Sequence, residues 1–207
     1  MVRVVLLLIT IFVLADNANR EQGRFKYKNE SYSYSLNFST NLHKDSVLAV
    51  LYSFDHLKKY SSGTSETRFL GKNKENCYEI EILLKHLFYA TRSVYKRTFL
   101  PDSGVIKIEL QKFESNSTIF PSIVHSFSEY RVFSDGTKTV IQYRQTVSFN
   151  KKLNRFYLKI IRTRLDEFAE DLTGYIKNLS GKTEFSAQME AEIVCTVDCT
   201  YGDELKP

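Results

Sequence analysis

Histidines are the side chains of this sequence that titrate closest to neutral pH. The chain has four of them, His43, His56, His86 and His125. His86 and His125 fall in phase with the apolar residues of alternating stretches, so we expect both to point into the protein interior. There each is a candidate to contact a ligand or to transfer a proton. A buried histidine that only hydrogen-bonds to its neighbours is the alternative that the pattern leaves open.

A charged pair, Glu129 and Arg131, lies in a stretch that also carries Phe127 in the same phase. If that face lines a cavity, the two charges must be paired, because an unpaired buried charge is costly. They pair with each other, or with Tyr143 and Gln145 on the following stretch. Such a pair beside an apolar cavity can orient the polar head of a ligand.

The opposite register of the same stretch is equally open. Side chains alternate between the two faces of a strand, so a shift of one residue exchanges the faces completely. In this register Glu129 and Arg131 lie in water, and Tyr130 and Val132 face inward.

Two further candidates lie in the apolar stripe of a long helical pattern near the end of the chain. Phe168 is expected to line the interior. Arg164 is expected either to extend toward water or to reach into the cavity. The predicted ligand-binding set is His86, His125, Phe127, Glu129, Arg131, Tyr143, Gln145, Arg164 and Phe168.

Signatures of common enzymes are absent from the sequence. It has no Gly-x-Ser-x-Gly elbow, no Gly-rich phosphate loop, no His-Glu-x-x-His and no Asp-x-Asp calcium loop. This argues against the common hydrolases and nucleotide enzymes, and we expect neither a cofactor nor a metal. The hydrophobic content of 43% and charged content of 26% exclude a disordered chain.

The candidate residues are positioned by a series of strands and two helical regions. Residues 43–60 carry apolar side chains at helical spacing, and a helix of about 29 residues is expected to start after an Asn150 cap and to end at Ser180 and Gly181. Alternating residues predict strands at 31–39, 66–71, 77–87, 91–100, 105–113, 123–133 and 138–149. Turn residues at 101–104 and 134–137 indicate reversals, so the strands should form an antiparallel meander.

This order of elements resembles the helix-grip fold of the START / Bet v 1 / polyketide cyclase superfamily. The stretch KDSVLAVLYSFDHLKKY, residues 44–60, is similar to the first helical segment of that family, with Tyr60 where members often carry a tryptophan. The resemblance covers about residues 31–179. It implies an α+β fold in which a curved antiparallel sheet of about seven strands wraps around the long C-terminal helix and leaves an apolar cavity. A lipocalin is the rival fold, but its Gly-x-Trp is absent because the chain has no Trp.

The ends of the chain predict export. Residues 1–15 have the layout of a signal peptide, with one cation, an apolar run and cleavage after Ala15. We divide the remainder into an N-terminal arm at 16–30, the helix-grip domain at 31–181 and a C-terminal tail at 182–207. A secreted or periplasmic location permits a disulfide between Cys195 and Cys199, which leaves Cys77 as a small buried hydrophobe.

A non-enzymatic carrier of a lipid or other hydrophobic small molecule is the leading functional hypothesis. The first alternative, which the resemblance permits, is an enzyme of the cyclase or aromatase type with Glu129, His125 or His86 as general acid or base. The second alternative is an interaction module whose cavity is filled by its own aromatic side chains.

Charge suggests which partners to expect. Two basic stretches, one with Arg92, Lys96 and Arg97 on a single strand and one at the start of the long helix, form either solvated faces or a transient contact with an anionic membrane surface. The net charge of +5 is too small to argue for nucleic acid in an exported protein.

Overall fold

Eight strands form one antiparallel sheet in the order β1-β2-β8-β7-β6-β5-β4-β3. The computed structural model describes residues 23–61, 66–74, 76–86, 89–117 and 121–181, and within them the side chains at 73, 74, 85, 86 and 89 lie outside the description. The elements are β1 (Arg24–Lys28), β2 (Ser31–Thr40), α1 (Lys44–Tyr52), α2 (Phe54–Tyr60), β3 (Glu66–Lys74), β4 (Cys77–His86), β5 (Tyr89–Leu100), β6 (Val105–Ser115), β7 (Ile123–Asp135), β8 (Lys138–Phe149) and α3 (Arg155–Ser180). The predicted α+β architecture is therefore confirmed.

The first strand was not expected. Residues 16–30 were predicted to be an arm, but Arg24–Lys28 pairs with β2 and raises the strand count from about seven to eight. The connection is a two-residue turn in which Asn29 and Glu30 both have positive φ, at 50° and 63°. That geometry matches the right-handed twist of a hairpin. Residues 1–22 and 182–207 lie outside the described part of the chain, so the signal peptide and the tail remain predictions.

In β7, Glu129 and Arg131 face outward, which is the opposite of the register that would place them in the cavity. Ile123 packs against the core, but a bulge between Ile123 and His125 leaves Val124 as an extra residue. A bulge puts two residues opposite one and shifts all later side chains to the other face. Tyr130 and Val132 are consequently buried on the inner face, as the alternative register predicts.

The long helix begins later than predicted. Asn154, rather than Asn150, is the N-cap, and its side chain accepts a hydrogen bond from the Tyr157 N–H at 3.0 Å. Asn150 instead accepts from the Ser122 N–H at 3.0 Å and ties β8 to the start of β7. The helix has 26 residues and ends at Ser180, with Gly181 as its C-cap. It is therefore about 39 Å long.

Ion pairs on the outer, convex face hold four strands together. Glu81 of β4 is buried and accepts from the Nε of Arg92 on β5, and its second oxygen lies 3.6 Å from Nη1 of Arg68 on β3. The Nη1 of Arg92 also lies 3.4 Å from a carboxylate oxygen of Glu114 on β6, which extends the network of ion pairs. The Glu81 side chain is 4% exposed, whereas that of Glu114 is 46% exposed.

We expect Glu81→Gln to lower the free energy of unfolding by about 1 to 2 kcal/mol, because it removes a buried acceptor of charged hydrogen bonds. The loss stays in this range because both arginines can turn to water. The matched control Glu114→Gln changes an exposed member of the same network and should cost less than about 0.5 kcal/mol. Urea unfolding measures both values. Equal effects of the two variants would contradict the account.

Candidate functional site

The concave face of the sheet is closed on one side and partly open in the middle. The apolar inward-facing residues of β2 and β8, such as Leu36 and Ile141, are buried. The helix α3 lies against β2 and α2, and Tyr34 of β2 donates a hydrogen bond to the Leu165 carbonyl at 3.2 Å. Over part of β4, β5 and β6 the inward-facing apolar side chains are half-buried, whereas Tyr78, Ile80 and Ile106 on the same face are buried. We call the groove lined by the half-buried side chains the concave groove; they are Ile82, Leu84, Tyr95, Ile108, Leu110 and Phe113.

A fully buried arginine lies at one end of this groove. Arg97 is 1% exposed and faces inward on β5, opposite Ile108 of β6 and Tyr78 of β4. Its Nη2 donates to the Leu51 carbonyl at the end of α1, so the α1–α2 junction closes the groove there. Its Nε–H has no hydrogen-bond partner. Among the described residues, no carboxylate lies within ion-pair distance of Arg97.

Tyrosines surround the buried guanidinium. Its Cζ lies 5.7 Å from the Tyr78 ring centroid, and the Tyr60 hydroxyl is within hydrogen-bond reach. Burial destabilises the charged form of Arg97, whereas the nearby oxygens of Tyr78, Tyr60 and Tyr130 stabilise it. The pKa of Arg97 lies above its usual value. Arg97 is therefore charged at any pH at which the protein is folded.

The same tyrosines are neutral hydrogen-bond donors. Burial raises the pKa of Tyr78 to about 12, while the nearby Arg97 lowers it. Burial also raises the pKa of Tyr130 well above its ordinary value. Since neither group ionises at neutral pH, this end of the groove offers hydroxyl groups and one fixed positive charge.

Hydroxyl groups continue along the inner face of the sheet. Tyr143 donates to Ser128 at 3.4 Å, and Tyr32 donates to Gln145 at 3.3 Å. Among the described side chains, the inner face of the sheet carries no His, Asp or Glu, so it lacks an acid–base pair for neutral pH. Nor does any group of three or more His, Cys, Asp or Glu in the described ranges suit a metal ion.

Four of the predicted ligand-binding residues lie on the outer face instead. The bulge at Val124 turns His125, Phe127, Glu129 and Arg131 away from α3. Glu129 and Arg131 pair with each other and line a surface concavity of about 520 Å³ on the convex side. The prediction that His125 points inward is wrong, and of the two registers considered for Glu129 and Arg131 the outward one is correct.

The two candidate residues on α3 lie in different environments. Arg164 is exposed and pairs with Glu167 at 2.8 Å, so its prediction as a cavity residue is wrong. Phe168 packs between Tyr60 and Tyr143, with ring centroids 6.5 Å and 5.2 Å away. With Tyr143 and Gln145 it remains on the inner side of the sheet. Their role as ligand contacts stays a prediction.

The remaining candidates involve the undescribed part of the chain. His86 ends β4, but its side chain lies outside the description. Cys195 and Cys199 also lie outside, so their disulfide stays a prediction. Cys77 is buried and free, as expected.

Arg97 is the residue that sequence reasoning missed. It had been grouped with neighbouring cations as part of a solvated or membrane-facing strand. Its position in phase with Tyr95 and Phe99, both two residues away, was the signal that it faces inward.

Comparisons with solved structures bear on the fold. No family model and no curated protein matches the chain. A START superfamily protein from Mycobacterium smegmatis has a TM-score of 0.55 at 11% identity, covering 71% of this chain and 98% of its own. The Zhui aromatase/cyclase from Streptomyces sp. R1128 has a TM-score of 0.51 at 13% identity, covering 84% and 99%. Ginseng major latex-like protein 151 from Panax ginseng has 0.50 at 7%, covering 72% and 99%.

We expect the buried tyrosines to appear in an alkaline titration. Their pKa values are raised in the folded state, to about 12 for Tyr34 and Tyr78, against about 10 in the unfolded chain. The stability they contribute is therefore complete below about pH 10 and is lost as the pH rises through about 12. Near-ultraviolet absorbance should show that some tyrosines ionise only near pH 12, or only when the protein unfolds and its circular dichroism signal is lost. In denaturant all tyrosines should titrate near pH 10; the same single step in the folded protein would contradict the assignment.

Proposed function

We propose that this chain, which has the helix-grip fold of the START / Bet v 1-like superfamily, binds a lipid or other hydrophobic small molecule in the concave groove. The observation that carries the proposal is the partial exposure of apolar side chains in the middle of an eight-stranded sheet. Interior positions such as Tyr95 and Ile108 would be fully buried if α3 packed on them. An apolar ligand between β4–β6 and α3 would remove this surface from water.

The inner face argues for binding rather than catalysis. Two of the three acid–base candidates, His125 and Glu129, lie on the outer face. Among the described inward-facing side chains of β5, β7 and β8, the polar groups are neutral hydroxyls, the Gln145 amide and the charged Arg97, a set suited to orienting a polar group in an apolar site. The interaction-module alternative, with a groove filled by its own side chains, is distinguished by the experiment below.

Binding of the neutral dye Nile red tests the proposal. We expect the wild-type protein to increase the dye's fluorescence with saturable binding, and Ile108→Trp to weaken that binding at least about tenfold because the indole occupies the groove. The control Val140→Trp places the same indole at a half-buried position on the outer face of β8 and should bind like wild type. Thermal unfolding monitors the stability of each variant.

The filled-groove alternative makes the opposite prediction. An extra ring in a fully packed interior costs about 1 to 3 kcal/mol. Ile108→Trp would then be clearly less stable than wild type, and the wild-type protein would take up no dye. That pair of results would overturn the proposed ligand site.

Export is a second part of the proposal. The signal-peptide layout of residues 1–15 supports secretion or a periplasmic location, which would also permit the Cys195–Cys199 disulfide. None of the described helices is both long and apolar enough to span a membrane. Mass spectrometry of the chain from its own host tests both ideas: we expect an N-terminus at Asp16 and a mass two hydrogens below that of the reduced chain.

We also propose that the start of α3 contacts anionic membranes. Phe156 is 66% exposed and Ile160 is 43% exposed, one helical turn apart on the same side. Arg155 and Lys159 immediately precede them in the sequence, so apolar and cationic groups share one end of the helix. That combination suits an anionic lipid surface, which attracts each nearby cation by about 1 kcal/mol.

Vesicle cosedimentation tests the membrane contact. We expect the protein to sediment with phosphatidylserine-containing vesicles and not with pure phosphatidylcholine vesicles. The double variant Phe156→Ser with Ile160→Ser should lose most of this binding. As a control, Val124→Ser removes a similarly exposed apolar residue from the outer face and should bind normally. Unchanged binding of the double variant would exclude this surface.

A further inference from the structure

The charge of Arg97 is only partly explained by the protein itself. A buried ion is stabilised when it is paired and its hydrogen bonds are satisfied, and is costly otherwise. Here the guanidinium donates to the Leu51 carbonyl, but its Nε–H is buried without a partner. No carboxylate in the described part of the chain lies within ion-pair distance to balance the charge.

A structural role accounts for one hydrogen bond of the guanidinium. The last carbonyls of a helix lack intrahelical partners and favour a nearby cation. The last turn of α1 has no basic residue of its own, and Arg97 supplies one from the sheet through Leu51. The Tyr60 hydroxyl donates to the same carbonyl at 3.2 Å. This leaves the Nε–H without a hydrogen-bond partner, and among the described residues the charge is offset only by neutral tyrosine oxygens and the Tyr78 ring.

A second orphaned group lies on the same strand face. In the described residues, only two buried side-chain polar atoms have no hydrogen-bond partner, the Nε of Arg97 and the Oγ1 of Thr91. Both face inward on β5, six residues apart, which is about 20 Å along a strand. Between them, Ser93 and the half-buried Tyr95 face the same side. The unmet hydrogen bonds therefore lie on one wall of the concave groove.

We propose that the ligand of the concave groove is an amphipathic carboxylate, whose acidic head pairs with Arg97 and whose apolar body lies along β4–β6. The inference rests on the proposed function and adds the chemistry of the ligand. A carboxylate accepts charge-assisted hydrogen bonds from arginine, and the unpaired Nε–H is available to donate one. Because the guanidinium is buried, the head group reaches it only as the surrounding tyrosine rings turn aside. The span of the groove suits a long acyl chain.

Matched ligands on the wild-type protein test the proposal without any change of fold. Oleate, methyl oleate and oleyl alcohol share one chain and differ in the head group. Each is titrated against bound Nile red at about pH 8, where a carboxylic acid is ionised. We expect the dissociation constant of oleate, measured by displacement of the dye, to be at least about tenfold lower than that of the ester or the alcohol.

Variants then assign the preference to Arg97. Arg97→Met keeps the length of the stem and removes the charge, so the ratio of oleate to ester affinity should fall to about one. Arg97→Lys should keep part of the preference. The control Lys96→Met removes a charge from the outer face of the same strand and should keep the full ratio. Circular dichroism verifies that each variant is folded.

The outcomes separate the two proposals. Equal affinity of wild-type protein for all three ligands would overturn the carboxylate inference and leave the groove as an apolar site. Failure of every ligand and of the dye would overturn the proposed function itself. A folded Arg97→Met protein that still prefers oleate would show that a group other than Arg97 binds the carboxylate head. If that variant does not fold, the wild-type ligand series alone decides.

Discussion

One helix cannot cover an eight-stranded sheet, and the rest of this structure follows from that mismatch. Strands lie about 4.8 Å apart, so the sheet is about 34 Å across, while an α-helix with its side chains is about 10 Å wide. The sheet curves around α3, which covers β2 and lies beside α2. Part of the concave face over β4, β5 and β6 is left with half-buried apolar side chains. The groove is thus a consequence of geometry before any ligand is considered.

The two short helices determine how that groove ends. The α1–α2 junction lies over β4 and β5, where Tyr78 donates to the Tyr52 carbonyl and Arg97 donates to that of Leu51. His56 of α2 and the hydroxyl of Tyr175 on α3 lie 2.5 Å apart and join the same junction to the long helix. The closed end is consequently polar and positively charged, while the groove wall beyond it is mainly apolar, with the hydroxyls of Ser93 and Thr91 on β5. An amphipathic ligand fits such a gradient better than a pure hydrocarbon.

Much of the architecture was predictable because it depends on periodicity. The alternation in β2 and β8 and the helical stripe of α3 are long enough to determine which face is buried. The hairpin between β7 and β8 was indicated by Asp135 and Gly136, and Gly136 indeed has a positive φ of 61°. These features are local, so one sequence suffices to find them.

The wrong predictions share one physical cause. Which face of a strand is buried depends on its pairing with segments that are distant in the sequence. The bulge at Val124 carries no glycine to announce it, yet it exchanges the faces of β7 and moves Glu129 and Arg131 outside. Arg97 was expected on a solvated or membrane-facing surface, but it is fully buried, which is unusual for an arginine. Its burial depends on the carbonyl of Leu51, which is 46 residues away in the sequence.

Native mass spectrometry of the protein, purified from its own host without detergent, tests the central claim most directly. An occupied groove predicts a discrete added mass that is released on denaturation and partitions into an apolar solvent. A bare protein that also takes up none of a panel of lipids and apolar dyes would contradict the account. The half-buried residues of β4, β5 and β6 would then be an ordinary part of the core.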